Sequence, residues 1–254
     1  MILCLFIIFF VLLVAIGGER GVNGFFTLCF QAIMLILTLV LVNSGLNAIV
    51  VTLAVCIVIA IVTLIAQNGC NVKTISAFVA VGIVLVMMTL FITQITTRAK
   101  IQGFSSEQQE ISESDGFLDD GSLSMVDIEI AVILIGFMGA IMDTALAITS
   151  AMKEVDHHNP ELTRKRLFSS GLTIGREILG TMINTLFFAF IGEMLTLLIL
   201  LNKEYTFVKL INSKLFVSEL LKILFSGIGS VLIIPTAAVI GAYCIKQKGQ
   251  ALES

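Results

Sequence analysis

Long uninterrupted runs of apolar residues are the feature that most restricts the fold of this chain. A bilayer core about 30 Å thick needs about 20 apolar residues in a helix that crosses it, and about seven runs reach or approach that length. Because 57% of the 254 residues are hydrophobic and only 13% are charged, the chain is far more apolar than a soluble domain requires. The sequence therefore predicts an all-α integral membrane protein with about seven transmembrane helices, at residues 1–17, 25–42, 46–67, 74–95, 126–150, 177–201 and 221–245.

The first run has two readings. It lacks a positively charged region before the apolar residues, which argues against a cleaved signal peptide. The small residues of "AIG" before "GERG" nevertheless resemble a cleavage site. We favour a retained membrane span, with a cleaved signal as the alternative.

The distribution of lysine and arginine predicts the orientation, because these residues accumulate in cytoplasmic loops. With seven spans, the 15 basic residues divide between the two sides of the membrane. The richer side should be cytoplasmic, which places the N-terminus outside and the C-terminus inside. That side holds Arg20, Lys73, Lys153, Arg164, Lys165, Arg166, Arg176, Lys246 and Lys248, against Arg98, Lys100, Lys203, Lys209, Lys214 and Lys222 on the other.

Two polar connections divide the chain into three predicted parts. Residues 1–98 form an N-terminal four-helix membrane segment, and residues 126–254 form a second segment with three helices. Between them lies an acidic extracytoplasmic loop at 99–125, which is either a solvated linker or a cation-gathering surface. Its acidic residues are Glu107, Glu110, Glu113, Asp115, Asp119 and Asp120.

The connection at 151–176 is basic and predicted to be cytoplasmic. Asn159 as an N-cap, Pro160 in the first turn and Gly171 as a stop predict a short amphipathic helix along the lipid headgroups. The adjacent His157 and His158 are interpreted as a solvated pair, so no metal site is predicted.

Several functions are disfavoured by what the sequence lacks. A net charge of −3 without arginine-rich arms argues against binding nucleic acid. No phosphate-binding GxxxxGK[ST] motif is present, and no second aspartate accompanies Asp143 at its depth, as an aspartyl intramembrane protease requires. We therefore expect no enzyme activity, no catalytic residues and no cofactor.

An aspartate inside the fifth run is the strongest functional signal. Asp143 costs about 2.5–3.5 kcal/mol near the centre of a membrane helix, so such a carboxylate usually faces a partner or a water-filled cavity. Gly136, Gly139 and Ala147 share its helical face. Small residues of this kind allow another helix to approach closely.

The sixth run offers a partner for that carboxylate. Arg176, Gly180 and Asn184 follow one another at four-residue spacing on one face, with Thr181 and Thr185 beside them. If the two helices end near Ser150 and begin near Glu177, Asp143 and Asn184 each lie about 10 Å from the cytoplasmic boundary. We therefore predict a polar site formed by Asp143, Asn184, Thr181, Thr185 and Arg176, with interhelical hydrogen bonding as the structural alternative.

Two further residues are predicted to interrupt helices. Gly192, beside Glu193, lies within the sixth run, and Pro235 lies within the seventh. Transporters use broken helices to expose backbone carbonyls near the membrane midplane. These positions are therefore predicted hinges, whereas Gly136, Gly139 and Gly180 are predicted helix-packing positions.

Three segments together resemble the YibE/F family of bacterial multi-pass membrane proteins: "GFMGAIMDTALAITSAMKEV", "NPELTRKRLFSSGLTIGREILGTMINTLFFAF" and "SGIGSVLIIPTAA". The short chain is more similar to the YibF-like members that accompany a longer YibE-like protein. Two positions depart from the family pattern: Glu177 stands where an aspartate is expected and Phe190 where a tyrosine is expected. The second change removes a hydroxyl, so a hydrogen bond assigned to that tyrosine cannot form here.

The resemblance implies a multi-pass protein of the bacterial cell membrane with the lipid bilayer, a YibE-like protein or a second copy as its partner. Two functions stay open. The favoured one is a transporter or permease subunit, such as an exporter, with the polar site between its fifth and sixth helices. The alternative is a non-transporting subunit that stabilises its partner.

Overall fold

The protein is a bundle of long helices, seen in a computed structural model that describes residues 1–99, 125–201, 208–209 and 212–252. The predicted acidic loop lies almost wholly outside these residues. Six of the described helices are long and apolar enough to cross a membrane, which supports a helical, multi-pass membrane protein. The helices are α1 (Ile2–Asn43), α2 (Ala48–Ala60, continued by a π-helix at Ile61–Ala66), α3 (Val72–Ala99), α4 (Met125–His158), α5 (Arg164–Leu201) and α6 (Lys214–Leu252).

The first helix contains both of the first two predicted spans and bends sharply between them. Gly18 has φ 54° and ψ −134°, a conformation that side chains other than glycine rarely adopt. The bend folds the chain back, because the rings of Phe6 and Phe25 have centroids only 5.2 Å apart. A straight helix would separate these two residues by about 28 Å. The two apolar runs are therefore the two arms of a bent α1.

The start of α2 follows directly from its sequence. The side chain of Asn47 accepts hydrogen bonds from the backbone N–H groups of Ile49 and Val50, which caps the first turn. Further along, the amide of Gln31 in α1 donates to the hydroxyl of Thr63 at 2.9 Å. That hydroxyl lies in the π-helix, so a polar contact joins α1 to the widened end of α2.

The buried core is formed by α2, α3, α4 and α6. Phe137, Ile141 and Met152 of α4 are fully buried or nearly so. They pack where glycines of α6 remove side-chain bulk: a Cβ added to Gly229 would lie 3.2 Å from Ile141, and one added to Gly241 would lie 3.2 Å from Met152. Small residues in one helix thus accommodate large ones in its neighbour.

Helices α1 and α5 lie at the periphery. Only 11% of the most apolar stretch of each is buried, against 56% for α4. α5 packs chiefly on α6 and less on α4. Most of the surface of α5 is therefore open to the bilayer or to another protein.

The stretch 151–176 differs from the prediction of a loop with its own amphipathic helix. α4 continues to His158, α5 begins at Arg164, and only five residues, 159–163, connect them. Gly171 lies inside α5 and does not end a helix. The difference arises because hydropathy marks only the apolar part of a helix, whereas lysine, arginine and glutamate extend it into water as good helix formers.

The two predicted hinges lie within continuous helices. α5 runs through Gly192 and α6 runs through Pro235 as continuous helices. Pro235 lacks the N–H that would bond one turn back. Because Pro235 is exposed, the missing backbone hydrogen bond lies outside the core. Buried residues on either side hold the helix in place: Ile233, Ile234, Ala237 and Ala238.

Candidate functional site

Glycines fix the relative positions of α4, α5 and α6 where the three helices meet. A Cβ added to Gly171 of α5 would lie 2.6 Å from Sδ of Met152 in α4 and 3.0 Å from Cβ of Ala238 in α6. One turn further, a Cβ on Gly175 would lie 2.3 Å from Cγ2 of Ile234. The contacts of Gly171 and Gly175 make α5 antiparallel to α6. Because Ile141 and Met152 of α4 pack on Gly229 and Gly241 of α6 in the same order, α4 runs parallel to α6 and antiparallel to α5.

The same contacts give the level of Asp143 within the bundle. Met152 of α4 lies beside Gly171 of α5. Because the two helices are antiparallel, the nine residues back from Met152 to Asp143 cover the same distance as the nine residues forward from Gly171 to Gly180. By this count Gly180 lies near the level of the carboxylate, and Arg176 and Asn184 each lie about 6 Å, or one helical turn, from Gly180. The sequence predicted Asp143 and Asn184 at one depth, and this count places Asn184 within about one turn of the carboxylate.

Asp143 projects from the exposed face of α4. Gly136, Gly139 and Ala147 on the same face are exposed as well. A Cβ added to either glycine would meet nothing within 4 Å. These glycines consequently pack against no other helix in the described part of this chain, although the sequence predicted them as packing positions.

The predicted residues on α5 are exposed in the same way. Arg176, Gly180 and Asn184 all lie on its open surface, and a Cβ on Gly180 would also meet nothing within 4 Å. The hydroxyl of Thr181 donates to the carbonyl of Ile178, and that of Thr185 donates to the carbonyl of Thr181. Both threonines thus satisfy their hydroxyls within their own helix.

No hydrogen bond or ion pair joins Asp143 to Asn184 or to Arg176 within the residues that the structure describes. The two helices bring the predicted residues to neighbouring levels, but a single chain does not close them into one pocket. The glycine-lined faces of α4 and α5, with Asp143, Arg176 and Asn184 on them, are hereafter called the open polar face.

The glycines that do pack are at other positions. Gly171 and Gly175 form a GxxxG pair, a pattern typical of close helix contact in membranes. The sequence contains this pair plainly, but Gly171 was interpreted as a helix stop. Glycine spacing alone therefore does not distinguish the face that packs inside the chain from the face that remains open.

An apolar cavity of ≈ 500 Å³ lies between the C-terminal half of α5 and the N-terminal half of α6. Phe187 and Phe190 line it from α5, and Leu224 and Ile228 line it from α6. The ring of Phe190 also lies 6.2 Å from that of Phe216, centroid to centroid. Phenylalanine suits this wholly apolar surface, where a tyrosine hydroxyl would need a hydrogen-bond partner.

A polar clamp holds the α4–α5 connection against the end of α6. Nζ of Lys246 lies 2.5 Å from Oδ1 of Asp156 and donates to the carbonyl oxygen of Pro160 at 2.6 Å. The guanidinium of Arg164 lies over the ring of Tyr243, 5.1 Å from its centroid. These contacts join the basic connection to the last helix.

Comparison with known families gives one match. The family described as YibE/F-like protein matches residues 5–247, which is nearly the whole chain. No curated protein and no solved structure gave a match.

Proposed function

Because the chain belongs to the YibE/F family and has several membrane-spanning helices, we propose that it is a permease subunit of the bacterial plasma membrane. Its intramembrane polar site is built on the open polar face and is completed by a second membrane protein chain. The partner is a longer YibE-like protein or a second copy of this chain.

The observation that carries the proposal is the exposed position of Asp143 in an apolar helix. At such a depth a carboxylate facing lipid costs about 2.5–3.5 kcal/mol. No residue of the described chain offsets this cost by pairing with it. A partner subunit or a water-filled path between subunits would supply the missing polar surroundings.

The neighbouring glycines support the same conclusion. Gly136, Gly139 and Gly180 leave the backbones of α4 and α5 accessible, and nothing in the described chain fills the space above them. Helices in membranes associate through such small-residue faces because backbones can approach closely and exclude lipid. Arg176 and Asn184 add a cation and an amide within about one turn of the carboxylate level.

The second candidate function is a subunit that stabilises its partner without transporting anything. The internally bonded hydroxyls of Thr181 and Thr185 favour it, because they are not free to bind a substrate without breaking those bonds. In this case Asp143 would serve only to fix the interface. Both functions use the open polar face. They are therefore distinguished by whether the charge of Asp143 is needed for transport or only for the interface.

The test compares Asp143→Asn with Glu193→Gln, which neutralises another exposed carboxylate outside the open polar face. Each variant is expressed at native level, its co-purifying membrane proteins are identified, and cells are assayed for sensitivity to toxic ions and compounds. The permease proposal expects Asp143→Asn to change the sensitivity profile while Glu193→Gln does not. If Asp143→Asn loses its co-purifying partner but the sensitivity profile of the cells is unchanged, the stabilising subunit is favoured. An intact complex and an unchanged profile would overturn the proposal.

A further inference from the structure

Three metal-ligating side chains come together in the last turns of α4, on the water-exposed extension that hydropathy did not include in the span. Glu154, His157 and His158 are all exposed, and their ligand atoms all lie within 4.8 Å of one another. We propose that these residues form a binding site for a divalent transition-metal ion. The site is separate from the open polar face and does not depend on the proposed permease function.

Helix geometry explains how adjacent histidines can share one ion. Positions three and four residues after Glu154 lie on either side of it, so the three side chains occupy an arc of about 100° on one helix face. The sequence predicted His157 and His158 as a solvated pair. In α4, which continues to His158, the histidines lie three and four residues after Glu154, and the ligand atoms of all three side chains lie within 4.8 Å of one another.

The orientation of His158 also suits metal binding. Its Nδ1 lies 3.0 Å from the backbone carbonyl of Glu154. A carbonyl oxygen can only accept, so Nδ1 is the donor in this contact; in the neutral tautomer protonated at Nδ1, Nε2 keeps its lone pair for a metal. Metal-binding histidines characteristically donate their second ring nitrogen to a carbonyl or carboxylate in this way.

The donor set indicates the class of ion. Two imidazoles and one carboxylate suit Zn²⁺, Co²⁺ and Ni²⁺, whereas Mg²⁺ and Ca²⁺ prefer sites made entirely of oxygen. Three protein ligands leave at least one coordination position for water. The site is therefore suited to reversible binding and exchange of an ion rather than to permanent structural zinc.

The position of the site relates it to the α4–α5 connection. Asp156, between the ligands in sequence, pairs with Lys246 of α6, and Pro160 of the connection accepts from the same lysine. The charge distribution of the loops predicts this end of α4 to be cytoplasmic. The ion taken up would therefore come from the cytoplasmic pool.

Cobalt binding by the full-length protein tests the site directly. The protein is purified with a tag that contains no histidine, placed in nanodiscs and titrated with Co²⁺, whose visible absorption reports nitrogen and oxygen coordination. One equivalent should bind. Glu154→Gln, His157→Ala and His158→Ala should each weaken binding by about tenfold or more, while Glu161→Gln, an exposed acid in the connection, should not.

Two controls keep the test decisive. The thermal midpoint of each variant is measured without metal, and because all three ligands are exposed, it should match that of the unaltered protein. Zn²⁺ should displace the Co²⁺, whereas Mg²⁺ should not. The proposal is overturned if the unaltered protein binds no Co²⁺ or if the three ligand variants bind it as tightly as Glu161→Gln.

Discussion

The aromatic rings of Phe10 and Phe25 lie 4.6 Å apart between centroids, edge against face. A straight helix would place these two residues about 22 Å apart. Their contact exists because the chain reverses at Gly18, which alone within α1 has a non-helical conformation. The turn between the first two apolar runs therefore consists of one glycine rather than a polar loop.

Replacing Gly18 by valine should open this turn. A β-branched residue at φ 54° is strained whatever space surrounds it. In a background without the native cysteines, a Phe10→Cys/Phe25→Cys pair should be joined by a short bifunctional maleimide, and Gly18→Val should reduce the yield of this cross-link severalfold. Gly17→Val is the matched control, because a Cβ there meets nothing within 4 Å. Equal yields in the two valine variants would contradict the bend.

Replacing Gly175 by alanine should destabilise the contact between α5 and α6. The added Cβ would lie 2.3 Å from Cγ2 of Ile234, a buried β-branched side chain with little freedom to move. The expected loss is about 1–3 kcal/mol in the free energy of unfolding, measured by denaturation in detergent micelles. Gly180→Ala, one or two turns further along α5, should change it little because its Cβ meets nothing. Similar losses in both variants would argue against this packing.

Breaking the pair between Lys246 and Asp156 should loosen the clamp on the α4–α5 connection. Lys246 is 15% exposed and Asp156 22% exposed at their side chains, so neither is fully hydrated. We expect Lys246→Met to cost about 1–2 kcal/mol, because Pro160 loses its charged donor as well. A double-mutant cycle with Asp156→Asn should show coupling of about 0.5 kcal/mol or more. Purely additive effects would mean that the pair contributes nothing.

A large side chain on the open polar face should block association with the partner subunit without unfolding this chain. Gly139→Leu places a large side chain beside Asp143, where nothing in the described chain occupies the space. We expect its thermal midpoint to remain within about 2 °C of the unaltered protein, because surface substitutions change stability little, while recovery of partner subunits falls severalfold. Gly82→Leu in α3 introduces the same bulk at another position where a Cβ meets nothing. An undiminished complex in Gly139→Leu would exclude this face as the interface.

Local sequence was sufficient to locate the helices in the membrane-spanning part of the chain. The predicted spans at 46–67 and 74–95 agree closely with α2 plus its π-helix and with α3, because glycine and asparagine bound the first run at both ends and the second at its start. Predicted ends were less accurate where polar helix formers follow the apolar run. α4 extends eight residues beyond the predicted end at Ser150, to His158, and that extension carries the proposed metal ligands.

The candidate site was harder to predict. The sequence identified Asp143 and the glycines that share its face, because a fixed period of 3.6 residues places them together. It paired Asp143 with Asn184, and no hydrogen bond joins these two residues in the described part of the chain. Which of two glycine-rich faces packs inside the chain depends on distant partners such as Ile234, which no local pattern reveals.

The sequence by itself determined the membrane class and the positions of the apolar helices, because hydropathy and helical periodicity are local properties; the resemblance of three segments to the YibE/F family was confirmed by the family match. Only the tertiary structure decided which helix faces are buried, since burial depends on how residues far apart in the chain meet. It placed α4 against α6 through Gly229 and Gly241, and it left Asp143 on the outside. The carboxylate that looked like an internal site thus lies on a surface, where a second chain can meet it.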